Sequence, residues 1–218
     1  MSNATPRTAQ PIHYDFSGGL PDDFQWLRTP YPERLFSVEN GRLILTGRES
    51  IGSWFEQALV ARRQQHLAYR AETVIDMTPE TYQQGAGLAT YYNRHKFHAV
   101  VLTQDPEIGR CLWLMSCNGD YPDGALEHPL SAPVPLAPGA VELAVEVDHA
   151  VQQFFYRQAG GDWQAIGPER DAALTSDEGG RGEHASFTGA FVGVLAYDLA
   201  GREQPAEVSA FAYLPRAN

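Results

Sequence analysis

The chain has 218 residues, of which 43% are hydrophobic and 20% charged, and its formal net charge is −11. This length suits one domain with a single large core. The acidic balance argues against a nucleic-acid partner, because binding phosphates needs clustered Lys and Arg. No apolar run approaches the ~20 residues that span a bilayer, so a membrane partner is excluded as well.

The first twelve residues, 1–12, are polar and contain prolines, which predicts a flexible tail followed by one domain over residues 13–218. They lack the apolar segment of a secretory signal peptide. Cys111 and Cys117 fall in one predicted strand, where an extended backbone holds them roughly 20 Å apart, beyond disulfide reach. Two free thiols are typical of a reducing compartment, so the sequence favours a cytoplasmic location.

Short apolar runs between turn formers predict β-strands along most of the chain. The first is expected at 13–16, and Asn40-Gly41 predicts a tight hairpin between 36–38 and 42–46. The irregular stretch between them carries Phe24 and Trp26, both expected to be buried. The proline-rich stretch 127–139 predicts a loop or an edge strand. Further strands are predicted at 58–61, 68–77, 87–92, 97–103, 110–117, 141–148, 151–156 and 163–166.

Two apolar runs, 190–197 and 206–213, close the chain. The first is apolar at odd and even positions alike, which predicts a central strand covered on both faces. The second alternates, so that Ser209, Phe211 and Tyr213 are expected to share one face. About a dozen short strands and no lasting helical period predict an all-β fold, a two-sheet antiparallel β-sandwich of jelly-roll type.

No spacing typical of a metal site or a cofactor is present. His95 and His98 stand close in sequence, but such pairs in a turn are more often surface residues than ligands. Nor does any serine or cysteine lie in a nucleophile motif. A structural calcium ion is left open, since four residues could supply hard oxygen ligands: Asp15, Asp22, Asp23 and Glu207.

Three carboxylates, Glu142, Glu146 and Asp148, share one parity in a predicted strand and so should face the same way. Certain sandwich glucanases use such a row as nucleophile, helper and general acid. Here Val151 occupies the place of the acid. A solvated polar face is the favoured interpretation, and a small sandwich glycosidase is the alternative.

Aromatic side chains that stack on sugar rings are available at Trp54, Tyr91 and Tyr92, although strand aromatics more often belong to a core. Phe187 follows the polar insert 175–186, where a loop would present it outward; burial at the start of the next strand is the competing interpretation. A free-standing, lectin-like carbohydrate-binding module is therefore a second hypothesis.

Several segments in order, FQWLRTP (24–30), LVARRQQH (59–66) and FTGAFVG (187–193), closely resemble the C-terminal sandwich of glycoside hydrolase family 43 enzymes, the β-xylosidases and α-L-arabinofuranosidases. The resemblance implies a concanavalin A-like sandwich. It also implies a non-catalytic, accessory role, packed against a catalytic β-propeller domain or subunit that holds the reacting carboxylates. Phe187 would then reach short xylo-oligosaccharides in the propeller's pocket, and assembly into a homo-oligomer is left open.

Overall fold

The computed structural model describes residues 10–119, 124–179 and 188–216, with only the backbone of Asn118. Within these ranges there are sixteen strands and two 3₁₀ helices, Pro32–Arg34 and Ala172–Thr175. The strands are β1 Ile12–Tyr14, β2 Phe24–Trp26, β3 Phe36–Glu39, β4 Arg42–Thr46, β5 Ala58–Arg63, β6 Ala68–Asp76, β7 Gln84–Asn93, β8 Lys96–Asp105, β9 Gly109–Asn118, β10 Leu126–Glu127, β11 Val134–Pro135, β12 Val141–Asp148, β13 Val151–Gln158, β14 Gln164–Asp171, β15 Phe191–Asp198 and β16 Pro205–Pro215.

The strands form two eight-stranded antiparallel sheets. The first sheet has the order β14-β13-β12-β6-β16-β4-β3, with β1 pairing to β16. The second sheet has the order β10-β9-β8-β7-β15-β5-β2, with β11 pairing to β9. These pairings confirm the predicted all-β sandwich, and they make the proline-rich stretch an edge of the second sheet, as expected.

The core lies between the sheets because alternate residues of each strand point inward. In β12 the inward residues Val141, Leu143, Val145 and Val147 are all buried. The second sheet also carries an apolar cluster on its outer face, where Ile51 and Leu27 pack over the strands. β15 lies between β5 and β7 and is apolar on both faces, which confirms its predicted central place.

The predicted hairpin at Asn40-Gly41 is present, and it joins β3 to β4. Both turn residues have positive φ, 52° at Asn40 and 73° at Gly41. Two consecutive residues of this kind are what a type I′ turn needs, and the Asn-Gly pair adopts it with little strain. Thus the local sequence alone sets the register of these two strands.

Several details differ from the sequence predictions. The stretch around Phe24 forms a strand, β2, and only Phe24 is buried there, whereas Trp26 is 38% exposed. In β16 a bulge between Val208 and Ala210 reverses the alternation. As a result Phe211 and Tyr213 share the core face with Val208, and not the face of Ser209. The first strand begins at Ile12, inside the stretch predicted as a tail.

Cys111 and Cys117 are both buried and are not joined by a disulfide bond, as the strand spacing predicts. Burial raises the pKa of the Cys111 thiol to about 11, which leaves it protonated and unreactive at neutral pH. Among the residues that the structure describes, no helix is long and apolar enough to cross a membrane.

Candidate functional site

The base of the polar insert, formed by Asp177 and Thr188, is the first candidate site, because the sequence places Phe187 at the end of the insert. Phe187 itself lies outside the described residues, whose nearest members are Gly179 on one side and Thr188 on the other. Asp177 of the insert and Thr188, which follows the undescribed residues, meet at the end of β7, where Tyr92 is 3% exposed.

The Tyr92 hydroxyl contacts both of these residues. It donates a hydrogen bond to the carboxylate of Asp177 and accepts one from the backbone N–H of Thr188, at 3.1 Å. Burial and the bond to Asp177 raise the pKa of Tyr92, so the phenol keeps its proton at neutral pH. The Lys96 ammonium lies 4.9 Å from the centroid of the Tyr92 ring, which adds a cation–π contact.

Arg63, the last residue of β5, holds the same segment from the opposite side. Its guanidinium donates to the backbone carbonyl of Thr188 and lies 4.8 Å from the ring centroid of Phe191. Gly189 has a φ of +76°, and a Cβ there would lie 3.3 Å from the Arg63 Nη1 atom. Glycine therefore permits the turn that brings the chain under the guanidinium.

A small apolar pocket of about 220 Å³ opens beside Thr188 on the outer face of the second sheet. Burial raises the pKa of Tyr91 to about 12, and the Tyr91 hydroxyl lies 3.4 Å from the Gln57 side-chain oxygen. Tyr91 and Tyr92 are both only 3% exposed, so neither offers an open ring face to a sugar. The main lining residues are Trp26, Leu27, Leu59, Tyr91, Tyr92 and Phe191.

Trp54, in contrast, is 55% exposed. The Arg94 guanidinium carbon lies 3.6 Å from its ring centroid and that of Arg28 lies 5.5 Å away. Arg28 also donates to the Trp54 carbonyl at 2.9 Å. The cations fix the indole at the surface. Four large side chains exposed in this region, here called the aromatic rim, are Trp26, Tyr31, Trp54 and Phe55.

The end of the sandwich next to the insert has a wider cleft of about 530 Å³, here called the end cleft. Amide, imidazole, hydroxyl and carboxylate groups line it, which are groups that hydrogen-bond to sugar hydroxyls. The cleft lies where the β5–β6 loop, the β12–β13 turn and the second 3₁₀ helix meet. Its polar lining includes Gln64, His66, His149, Ser176 and Asp177.

The carboxylates of β12 do share the outer face of the first sheet, as their parity predicts. Each has a cationic or imidazole neighbour. Glu146 accepts from Arg70 at 2.7 Å and Glu142 from Arg157 at 2.6 Å. Arg216 pairs with Glu146, and Asp148 lies beside the exposed His149 ring. Paired in this way, the row resembles the solvated polar face that the sequence favours.

An open depression of about 320 Å³ on that face is lined by three acids, Asp15, Glu72 and Glu142. Backbone and side-chain hydrogen bonds from Ser17 lower the pKa of Asp15, which makes it a poor proton donor. Glu72 accepts from Arg70, as Glu142 does from Arg157. All three acids that line the depression therefore already accept hydrogen bonds from side chains of the protein.

Three of the four candidate calcium ligands have separate partners. Asp15 accepts from Ser17, Asp23 accepts from Tyr14, and Glu207 is paired with Arg42. In the described ranges no three His, Cys, Asp or Glu side chains are grouped so that they could hold a metal ion.

The histidines near the β7–β8 turn are not surface residues, contrary to the prediction. His95 is 7% exposed and His98 is 1% exposed. The His98 ring lies 2.7 Å from the Ser116 hydroxyl and 3.1 Å from the backbone carbonyl of Asp171. Burial lowers the pKa of His98 to about 4, so it is a neutral structural group inside the sandwich.

The whole-chain pattern matches one known family. Residues 13–214 fit the family described as the β-xylosidase C-terminal concanavalin A-like domain. The chain belongs to this family. Membership confirms the resemblance of the motifs along the sequence, and it identifies the sandwich as a concanavalin A-like domain.

Relatives of this β-xylosidase C-terminal domain are much longer than the chain. A xylosidase/arabinosidase 43B of Humicola insolens is 47% identical over 205 residues, which are 93% of this chain and 38% of that protein. A β-xylosidase of Bacillus subtilis is 37% identical over 195 residues, or 88% of this chain and 36% of that protein. The chain thus spans less than two-fifths of these relatives.

Solved structures agree with this assignment. A xylan β-1,4-xylosidase from Bacillus halodurans is 33% identical, with a TM-score of 0.88 over 97% of this chain and 40% of its own. A functionally unknown protein from Saccharomyces cerevisiae is only 14% identical, with a TM-score of 0.57, and shares the fold alone. In that yeast structure the matched fold covers 98% of the chain.

Sequence reasoning missed the residues that fix the base of the insert. Arg63 is part of the RRQQH motif, but nothing in its spacing indicates a bond to Thr188. Asp177 lies in the polar insert without a motif of its own. The sequence indicates its partner Tyr92 only as an aromatic residue that could stack on a sugar. In the structure the Tyr92 hydroxyl joins two remote chain segments.

Proposed function

We propose that this chain is the accessory, non-catalytic sandwich of a family 43-type glycosidase that breaks down xylo-oligosaccharides. The observation that carries the proposal is the pairing of Glu142 and Glu146 with arginines on an open outer face. Glycoside hydrolysis needs two carboxyl groups facing each other across the scissile bond, one of them protonated. A paired row on a sheet surface lacks that arrangement, so the reacting carboxylates would come from a partner.

A catalytic β-propeller domain or subunit is the proposed partner. The relatives, a xylosidase/arabinosidase and a β-xylosidase, are more than twice as long as this chain. The aromatic rim is the proposed docking surface. Two links hold its segments together, since Arg28 donates to the Trp54 carbonyl and Arg34 pairs with Glu56. Exposed aromatic side chains in one region are typical of protein interfaces.

Phe187 and the end cleft are proposed to shape the sugar pocket of that partner. The small apolar pocket includes Trp26 of the rim and Thr188 of the insert base, so the rim and the insert lie on one continuous surface. A partner docked on the rim would bring its pocket to the end of the insert. A wall formed there would exclude long polymers and favour short xylo-oligosaccharides.

Activity assays on the isolated chain test the proposal. Aryl β-xylosides and aryl α-L-arabinofuranosides should show no turnover above background. Turnover that survives removal of contaminating hydrolases, and that Glu146→Gln abolishes, would instead support the small sandwich glycosidase.

The docking surface has its own test with a separately produced catalytic part. Trp54→Ala and Phe55→Ser should weaken association at least tenfold, because buried interface aromatics often contribute more than about 2 kcal/mol each. Ile108→Ala is the control, since Ile108 is also exposed but lies between β8 and β9, with β7 and β15 separating β8 from β5. Equal weakening by all three variants would argue against the rim as the docking surface.

A free-standing carbohydrate-binding module is the second candidate function. It is favoured by the sugar-compatible lining of the end cleft. Titration calorimetry of the isolated chain with xylo-oligosaccharides separates the two functions. A dissociation constant in the micromolar-to-millimolar range without any partner would favour the binding module.

A further inference from the structure

Three arginines near the outer face of the second sheet have no carboxylate partner among the residues that the structure describes. They are Arg28, Arg63 and Arg94, whereas every other described arginine forms an ion pair with an Asp or Glu side chain. The chain as a whole has a formal net charge of −11. Three unpaired cations in one region of so acidic a chain form a local positive surface, here called the arginine patch.

The arginine patch borders the small apolar pocket and the aromatic rim. Arg63 lines the pocket directly. The guanidinium carbons of Arg28 and Arg94 lie 5.5 and 3.6 Å from the ring centroid of Trp54 in the rim. Burial raises the pKa of Tyr91 in the pocket wall, and the positive charges of Arg28 and Arg94 oppose that rise. Both cations therefore lie close to the pocket as well as to the rim.

Each guanidinium group of the patch keeps unused hydrogen-bond donors. Such a group has five N–H donors in a planar fork, and within the described ranges each of the three donates to a single backbone carbonyl. The pairs are Arg28 with Trp54 at 2.9 Å, Arg94 with Gly52 at 3.0 Å, and Arg63 with Thr188. These bonds and the ring contacts hold the forks in place, and the remaining donors fit carboxylate groups best.

We propose that the arginine patch receives carboxylate side chains of the catalytic partner, so that the docking face of that partner is acidic. The aromatic rim alone fits any apolar surface, whereas unpaired guanidinium groups select a partner that supplies Asp or Glu. An arginine buried in an interface weakens binding unless a carboxylate pairs with it. This inference deepens the proposed function and rests on it, because it requires the rim to be the docking surface.

Cross-linking in the complete enzyme, chain plus catalytic part, identifies the groups that meet the patch. A carbodiimide joins a lysine amine to a carboxylate in direct contact, and the sequence has a single lysine, Lys96, which is 0% exposed. Arg28→Lys and Arg94→Lys each place a new amine in the patch, which should be joined to an Asp or Glu of the catalytic part. Arg42→Lys is the matched control, because Arg42 pairs with Glu207 of the first sheet and should be joined to it.

Two cross-linking results would overturn the inference. One is a link from the patch to a carboxylate of this chain or of a second copy of it, which would give the arginines a different partner. The other is no link from either patch position while the Arg42→Lys control reacts, which would show that no carboxylate meets the patch.

Amide exchange separates failure of this inference from failure of the proposed function. Docking covers the rim, so the amides of residues 53–56 should exchange more slowly in the complete enzyme than in the isolated chain. Arg94→Glu should reduce that slowing at least about tenfold, since an unpaired charge in an interface costs that much or more. Arg42→Glu, with the same change of charge, should leave it unchanged. Each variant is compared with its own isolated chain, so that local loosening does not enter the comparison.

The two proposals predict different exchange results. Slowing at residues 53–56 that survives Arg94→Glu would overturn the acidic docking face and leave the rim as the docking surface. No slowing in the wild-type enzyme would refute the rim as the docking surface, and the inference would fall with it.

Discussion

Arg62 lies over the ring of Tyr213 inside the sandwich, with its guanidinium carbon 4.1 Å from the ring centroid. The arginine is only 1% exposed. It donates to the Tyr14 hydroxyl and the Gln65 side-chain oxygen, both at 2.6 Å, while the Asp23 carboxylate is 3.9 Å away. An aromatic face and neutral dipoles thus stabilise a buried cation. The contact joins the last strand to β5, and the loop that follows β5 lines the end cleft.

Tyr213→Phe tests how much this junction contributes. The Tyr213 hydroxyl accepts the backbone N–H groups of Gln65 and His66 at 3.1 and 3.2 Å. Phenylalanine keeps the ring beneath Arg62 but leaves both donors without their acceptor, so the free energy of unfolding should fall by about 1–3 kcal/mol. Urea denaturation measures it. Tyr31→Phe, on an exposed ring, should change it by less than about 0.5 kcal/mol; similar losses in both would contradict the assignment.

Gly87→Ala should prevent stable folding. A Cβ at this position would lie 1.9 Å from the backbone carbonyl oxygen of Val100 in the neighbouring strand. Because the obstacle is backbone, the second sheet itself would have to shift, and we expect a loss above roughly 4 kcal/mol. Gly18→Ala is the control, since no atom lies within 4 Å of its Cβ position. Thermal unfolding of the two variants gives the comparison, and a Gly87→Ala protein as stable as Gly18→Ala would disprove the close approach.

Acid should destabilise the fold through His98. Its folded pKa is about 4 against an ordinary 6.5, because burial disfavours the imidazolium. Between these values the unfolded chain binds more protons, so stability rises with pH there and is lost as pH falls from 6.5 towards 4. This group accounts for roughly 3 kcal/mol over that window. Denaturant titrations of wild type and His98→Gln at pH 7 and pH 4 measure it, and equal losses in the two proteins would remove His98 as the cause.

Much of the fold could be predicted, because it depends on local sequence patterns that the structure keeps. Alternation in β12 and the Asn40-Gly41 turn depend on neighbours in sequence, and both are as predicted. β2 could not be predicted, because three residues are too few for an alternation of apolar and polar side chains that would distinguish a strand from a loop. The bulge at Ser209 could not be predicted, because one inserted residue leaves the composition of the strand unchanged. It nevertheless moves every later side chain of the strand to the opposite face of the sheet.

The candidate site was less predictable, since its contacts cross sheets and loops. The parity of Glu146 was foreseen, but its partner Arg70 depends on the pairing of β12 with β6, which places the two residues directly opposite each other. Tyr92 was noticed as an aromatic residue. Its hydrogen bond to Asp177 joins residues that are 85 positions apart in the sequence. No local sequence pattern indicates that two such distant segments lie side by side.

Glu146→Gln tests the interpretation of the carboxylate row. Glu146 accepts from Arg70 and forms an ion pair with Arg216, on a face where its side chain is 27% exposed. Removing one charge from a partly solvated network should lower the free energy of unfolding by less than about 1 kcal/mol. The complete enzyme should keep its kcat, because the reacting carboxylates lie in the partner under the proposed function. Glu142→Gln, which loses a single arginine contact, is the matched control. A fall in kcat of a hundredfold or more in Glu146→Gln alone, with stability unchanged, would assign the chemistry to this sheet and refute the accessory role.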